Sequence, residues 1–120
     1  MDPITTVEKL DIERFMGDWY VLADIATPFD KDAYAPTEHY VLKPDGMVET
    51  TYRYQKGNAF GDFKSRTMTA RPNPELPSIW GMRLIWPFEA DYRIAHIHPD
   101  YETTIVARNK RDFVWLMART

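Results

Sequence analysis

His96 and His98 stand two residues apart, the spacing that puts two imidazoles on one face of a β-strand, with Asp100 and Glu102 close behind. These are the residue types of a metal site. A metal needs three or four convergent ligands, however, and Pro99 interrupts the strand among these candidates. His96 therefore reads as a wall or pocket residue and His98 as part of a turn, and neither a metal nor a cofactor is expected. Glu38 and Glu49 would form a carboxylate pair if both faced inward, but acid–base chemistry needs more than proximity. The chain contains no Ser-centred nucleophile elbow, phosphate loop or His-Glu-x-x-His. With no cysteine, disulfides, thiolate metal sites and cysteine nucleophiles are excluded. A non-enzyme is the expected reading.

Arg53 is the remaining polar candidate. Pointing inward beside Glu38, its planar donor fork would hold a carboxylate or a phosphate. Its strand reads either way. If Met47 is inward, Glu49, Thr51 and Arg53 follow it; the other parity brings in Val48, Thr50, Tyr52 and Tyr54. Arg53, Lys64, Arg66, Arg71, Arg83 and Arg93 lie among aromatics, a composition also found in single-strand nucleic-acid binders. Acidic residues interleave with them and the net charge is −3, so they read as a solvated outer wall and no nucleic-acid partner is expected.

The elements that must position these groups are legible from both ends. Gly17-Asp18-Trp19 opens the first strand-like run and Arg119 closes the last, one residue before the chain stops. A Trp and an Arg so far apart meet only if the sheet closes on itself. A guanidinium stacked on the indole would then seal one end of a barrel by cation–π attraction and exclusion of water. Between them, turn signals recur: Pro28 to Pro36, Pro44-Asp45-Gly46, Gly57 to Gly61, Pro72 to Pro77, Pro87, His98-Pro99-Asp100 and Asn109-Lys110. Seven such breaks leave eight runs of about eight to ten residues, the rhythm of an all-β barrel or sandwich. The runs are Trp19 to Ala26, Thr37 to Lys43, Met47 to Gln55, Asp62 to Arg71, Ser78 to Trp86, Glu89 to Ile97, Tyr101 to Arg108 and Arg111 to Arg119. They concentrate β-branched and aromatic residues. Only Val7 to Met16 reads as a short helix. A length of 120 residues, 44% apolar, fits one domain over 1–120.

The residues now resemble a known family. Phe15-Met16-Gly17-Asp18-Trp19-Tyr20 resembles the lipocalin opening signature, Pro99-Asp100-Tyr101-Glu102 its second, an Asp-Tyr turn, and Phe113 to Thr120 its third, a last strand ending in Arg. Trp86-Pro87-Phe88 with Tyr92-x-Ile94, and Arg111-Asp112-Phe113-x-Trp115-Leu116, are similar to bacterial lipocalins, relatives of apolipoprotein D. The resemblance spans Leu10 to Thr120 and implies an eight-stranded up-and-down antiparallel barrel around one small ligand. It also implies a short N-terminal helix, and barrel closure by Gly17, Trp19, Asp100, Tyr101 and Arg119. Lipocalins usually continue beyond that Arg into a helix packed outside the barrel; with the chain ending at Thr120, that helix is expected to be missing. Bacterial members often begin with a signal peptide and a lipidated cysteine, and the chain shows neither. The implied address is the periplasm or outer membrane.

Alternation then proposes the lining. With Trp19 and Arg119 inward, Val21, Ala23 and Ile25 follow in the first strand and Met117, Trp115 and Phe113 in the last. Glu38, Tyr40 and Leu42, then Trp80, Met82 and Leu84, then Tyr92, Ile94 and His96 complete it. Phe29 and Tyr34 stand on a long loop at the mouth. The function expected is non-enzymatic binding, transport or storage of a small hydrophobic or amphipathic ligand, a fatty acid or lysophospholipid. The alternative is a lipocalin-fold enzyme or metalloprotein using His96 and nearby carboxylates. Tyr20, Leu22, Val114, Leu116 and Ala118 would face outward as one apolar strip. Self-association into a homodimer through the first and last strands is expected from that strip, beside a peripheral membrane association.

Overall fold

Asp11 caps a single helical turn, its carboxylate accepting from the Arg14 amide at 3.3 Å. In the computed structural model, which describes residues 5–24, 33–85, 88–108 and 114–120, this turn is α1 (Ile12–Phe15). The longer helix expected from Val7 is not formed. Instead the Val7 amide donates to the Ile94 carbonyl at 3.1 Å, and the Ser78 hydroxyl donates to the Val7 carbonyl at 2.7 Å. Those tertiary bonds hold the segment in an irregular path and override its helical pattern.

Eight strands follow: β1 (Gly17–Asp24), β2 (Ala33–Leu42), β3 (Val48–Lys56), β4 (Phe63–Pro72), β5 (Ile79–Ile85), β6 (Phe88–Ile97), β7 (Thr103–Ala107) and β8 (Val114–Ala118). Each of the eight expected runs overlaps one of them. All neighbours are antiparallel, and β8 pairs back onto β1, closing the barrel. β2 begins earlier than expected, at Ala33, and runs through Pro36. The ladder shifts between Tyr34 and Thr37, Ala35 takes φ +49°, and this irregularity spares Pro36 a ladder donor it does not have.

Two further shifts matter for function. Val21 pairs with Met117 but Ala23 with Leu116, so Leu22 is a bulge residue. Ile94 pairs with Val106 but His96 with Ile105, so Ala95 is another. A bulge bends its strand and reverses the in–out order of everything beyond it. The wall is also uneven: β3 and β4 pair over eight rungs, whereas β4 and β5 pair over three, Ala70 to Pro72 against Trp80 to Met82. The core fills the end where α1 lies, with Phe15, Trp19, Tyr40, Trp80 and Ile94 all essentially inaccessible to solvent.

Candidate functional site

Directly opposed residues of an antiparallel ladder point to the same side, so the register defines the inner face. One inner rung runs Trp19, Glu38, Tyr52, Arg66 across β1 to β4. Below it run Gly17, Tyr40, Thr50 and Met68, then Leu42, Val48, Ala70, Met82 and Ala90. Trp80 opposes Tyr92. On the other side of the barrel Ile94 opposes Val106, which opposes Trp115, and Thr104 opposes Met117, which opposes Val21.

The closed end is an aromatic floor. Phe15, projecting from α1, meets Trp19, Tyr40 and Trp80 with ring centroids 5.1, 5.2 and 5.7 Å apart. Trp80 stacks on Tyr92 at 5.6 Å. Both indole N–H groups are satisfied, Trp19 by the Phe15 carbonyl at 2.8 Å and Trp80 by the Pro77 carbonyl at 2.7 Å. The Tyr40 and Tyr92 hydroxyls hydrogen-bond each other in the interior. Burial pushes both phenols well above their ordinary pKa; the partner phenol and the Glu38 carboxylate add to this at Tyr40, and Glu38 adds to it at Tyr92. The floor is dry and the phenols stay neutral.

Outside the floor, Arg119 seals the seam. Its guanidinium lies over the Trp19 ring, 3.8 Å from the centroid, and donates to the carbonyls of Asp18 at 2.8 Å, Arg14 at 2.7 Å and Tyr101 at 3.3 Å. Gly17 takes φ +95° beside it, a conformation that only glycine adopts without strain. Tyr101, at φ +59°, receives the Asp11 amide on its hydroxyl at 2.8 Å and the Arg14 guanidinium over its ring. Asp100 accepts the Glu102 amide at 2.8 Å. That bond, with His98 at 2.7 Å, holds its carboxyl below the usual range.

Toward the other end the lumen changes character. Tyr52 and Trp115, on strands that are not neighbours, stack across it with centroids 5.5 Å apart and planes at 19°. Tyr54 continues the stack from Tyr52 at 5.3 Å. Glu38, 2% exposed, and Arg66 share the inner rung with Tyr52 between them. Lys64 opposes Tyr54 at the rim. The inner face here is aromatic, with one acidic and two basic groups, a composition suited to an apolar body with a polar end.

Of the lining read from alternation, Val21, Glu38, Tyr40, Trp80, Met82, Tyr92, Ile94 and Trp115 stand on the inner face. Four of the expected ligand residues do not. Ala23 and His96 lie with Leu116 and Ile105 in one outer row, because the bulges at Leu22 and Ala95 each reverse the alternation. Arg53 is exposed and opposes Ser65 on the outer wall, because β3 takes the parity that buries Val48, Thr50 and Tyr52. Tyr34 opposes Gln55, which opposes Phe63, on the same outer face. Phe29, Ile25 and Phe113 fall outside the described residues, as does the side chain of Leu84. Met68, Arg66, Thr104 and Val106 are inner residues that alternation did not single out. The parity of β3 was the one available signal, since Val48, Tyr52 and Tyr54 are apolar or aromatic where Glu49 and Arg53 are charged. No group of three metal-ligating side chains converges among the described residues. Tyr20, Leu22 and Leu116 are exposed on the outside of β1 and β8, while Ala118 is buried.

A family model described as a lipocalin-like domain matches residues 10–120. The chain is 26% identical over 121 residues to temperature-induced lipocalin-1 of Arabidopsis thaliana, covering 95% of this chain and 65% of that protein. It is 23% identical over 120 residues to the outer membrane lipoprotein Blc of Escherichia coli (strain K12), covering 98% and 66%. The chain thus spans just under two thirds of these relatives' length. Among solved structures, the cockroach major allergen Per a 4 superposes with a TM-score of 0.74 at 20% identity, over 97% of this chain and 73% of that one. Apocrustacyanin C1 superposes with a TM-score of 0.69 at 16% identity, over 92% and 63%. Likeness of this kind to solved structures speaks for the fold.

Proposed function

Because the chain belongs to the lipocalin family, we propose that it is a non-enzymatic carrier or store for a small hydrophobic or amphipathic molecule, a fatty acid or lysophospholipid. The observation that carries this reading is the division of the inner face. A packed aromatic floor stops the lumen at one end, and above it Tyr52, Tyr54 and Trp115 line a wall that also holds Glu38, Arg66 and Lys64. The apolar body of the ligand lies against that wall, and its polar end lies toward Arg66 and Lys64. Tyr40, Trp80, Met82, Tyr92 and Ile94 support it from the floor. Burial of an alkyl chain supplies about 25 cal/mol per Å² removed from water, less the cost of ordering it, which gives affinities on the order of micromolar.

Displacement of a fluorescent fatty acid tests the reading. Palmitate and lysophosphatidylcholine are expected to compete with the probe, and Trp115→Ala to weaken binding about tenfold or more by removing one stacked wall. A folded wild-type chain that binds no probe at all overturns it. An enzyme or metalloprotein built on His96 is not favoured, because His96 faces outward. By likeness to the Blc lipoproteins the place of action is the periplasm or outer membrane, checked by fractionation of the native host. Two copies associate through Tyr20, Leu22 and Leu116, and Leu22→Lys with Leu116→Lys is expected to leave a monomer by sedimentation.

A further inference from the structure

The β3–β4 hairpin carries the two most exposed large apolar side chains among the described residues. Phe60 is 98% exposed and Phe63 81%. They project from a hydrogen-bonded turn. Asn58 accepts the Phe60 amide on its side chain at 2.8 Å, the Gly61 amide donates to the Asn58 carbonyl at 2.9 Å, and the Gln55 amide group donates to the Ala59 carbonyl at 2.8 Å. The turn is also too tight for any side chain at Gly61, where a Cβ would stand 1.8 Å from the Lys56 carbonyl oxygen. The two rings are therefore held in water by a structured loop. Around them the charge is one-sided. Between residues 53 and 66 stand Arg53, Lys56, Lys64 and Arg66 against Asp62 alone, in a chain whose net charge is −3.

The strand that follows is paired on one side only over its first residues, among those described. β4 pairs with β5 only from Ala70 to Pro72, so over residues 63–69 its ladder partner among the described residues is β3 alone. Residues 63–67 are exposed on both faces of the strand. Lys64 and Arg66, on the inner face, are thus exposed on the same stretch of β4 that bears Phe63 on the outer face.

We propose that this hairpin tip docks the barrel on an anionic phospholipid bilayer, Phe60 and Phe63 entering the interface and the basic residues meeting lipid phosphates, so that lipid passes along the open edge of β4. The proposal rests on the lipid-carrier reading and adds to it the surface that lipid comes from. Size decides between a bilayer and a protein partner. Two phenylalanines bury about 300–500 Å², well short of the roughly 1,200–2,000 Å² of a stable protein interface. For reversible attachment to a charged membrane surface, a small apolar wedge flanked by a few basic residues is sufficient.

The test is co-sedimentation with phosphatidylcholine vesicles, with and without phosphatidylglycerol, at low and high salt. Wild type is expected to bind the anionic vesicles, to bind the neutral ones severalfold more weakly, and to lose most of the difference at high salt. Phe60→Ser with Phe63→Ser is expected to lower vesicle binding at least tenfold, while fatty-acid displacement in solution and thermal unfolding stay as in wild type. A double variant that sediments with vesicles like wild type overturns the proposal. So does a wild type that ignores vesicles but self-associates in their absence through Phe60 and Phe63. Vesicle binding that depends on both rings, in a chain that takes up no fatty acid, would sink the carrier reading and leave the docking surface standing.

Discussion

Replacing Arg119 isolates the seam of the barrel from its lumen. The guanidinium makes two short bonds, to Arg14 and Asp18, and a longer one to Tyr101. A hydrogen bond of this kind contributes about 1 kcal/mol net at a partly exposed site, so the two short bonds supply about 2 kcal/mol and the long one little. Stacking over Trp19 at 3.8 Å adds about 1 kcal/mol at intermediate burial. Arg119→Ala should therefore cost about 3 kcal/mol, or about 12 °C in Tm for a chain of this size. Arg119→Lys should lose about two thirds of that, because an ammonium lacks the planar fork that serves three carbonyls and the flat face that stacks. Urea unfolding followed by tryptophan fluorescence measures both, and fatty-acid displacement by the folded variants should be unchanged. A cost below about 1 kcal/mol for the alanine, or a lysine variant equal to wild type, would show that closure does not depend on this side chain.

Three further outcomes follow from the floor. Tyr40→Phe strands the Tyr92 hydroxyl's bond to it in a dry interior and should cost about 1–3 kcal/mol. Tyr40→Phe with Tyr92→Phe should cost less than the sum of the single changes in a double-mutant cycle, and strict additivity would refute the coupling. Phe15→Ala removes the ring that three other aromatics surround and should cost about 3–5 kcal/mol by urea unfolding; a loss under about 1 kcal/mol would mean the plug is dispensable. In alkali, the buried Tyr40 and Tyr92 keep their protons above the ordinary phenol value of 10.0 while the unfolded chain loses them. Their contribution is complete below that value and falls as pH rises beyond it. Phenolate absorbance should accordingly show these two tyrosines ionising only with unfolding; early ionisation of all seven would contradict the dry floor.

The sequence by itself determined the number and order of the strands, because turns are local chemistry. Pro44-Asp45-Gly46, His98-Pro99-Asp100 and the Gly57 to Gly61 segment break a strand wherever they occur, whatever lies across the barrel. Closure was legible too, since Gly17, Trp19 and Arg119 sit at the two ends of the alternating pattern and join only in a closed sheet. The direction of side chains within a strand was legible only as far as the alternation ran unbroken. Trp19 predicts Val21 correctly and Ala23 wrongly, and Tyr92 predicts Ile94 correctly and His96 wrongly. The extra residues at Leu22 and Ala95 are set by how β1 seats on β8 and β6 on β7, and neither strand's own residues record that fit. Arg53 failed for a different reason: an inward Met47 would carry it inside, whereas the apolar and aromatic phase of Val48, Tyr52 and Tyr54 is the one that pairing with β2 and β4 turns inward. The early end of the β4–β5 ladder and the non-helical path at Val7 likewise come from contacts between distant segments. A period of two fixes which residues share a face, but only the partner strand decides where one extra residue turns that face around.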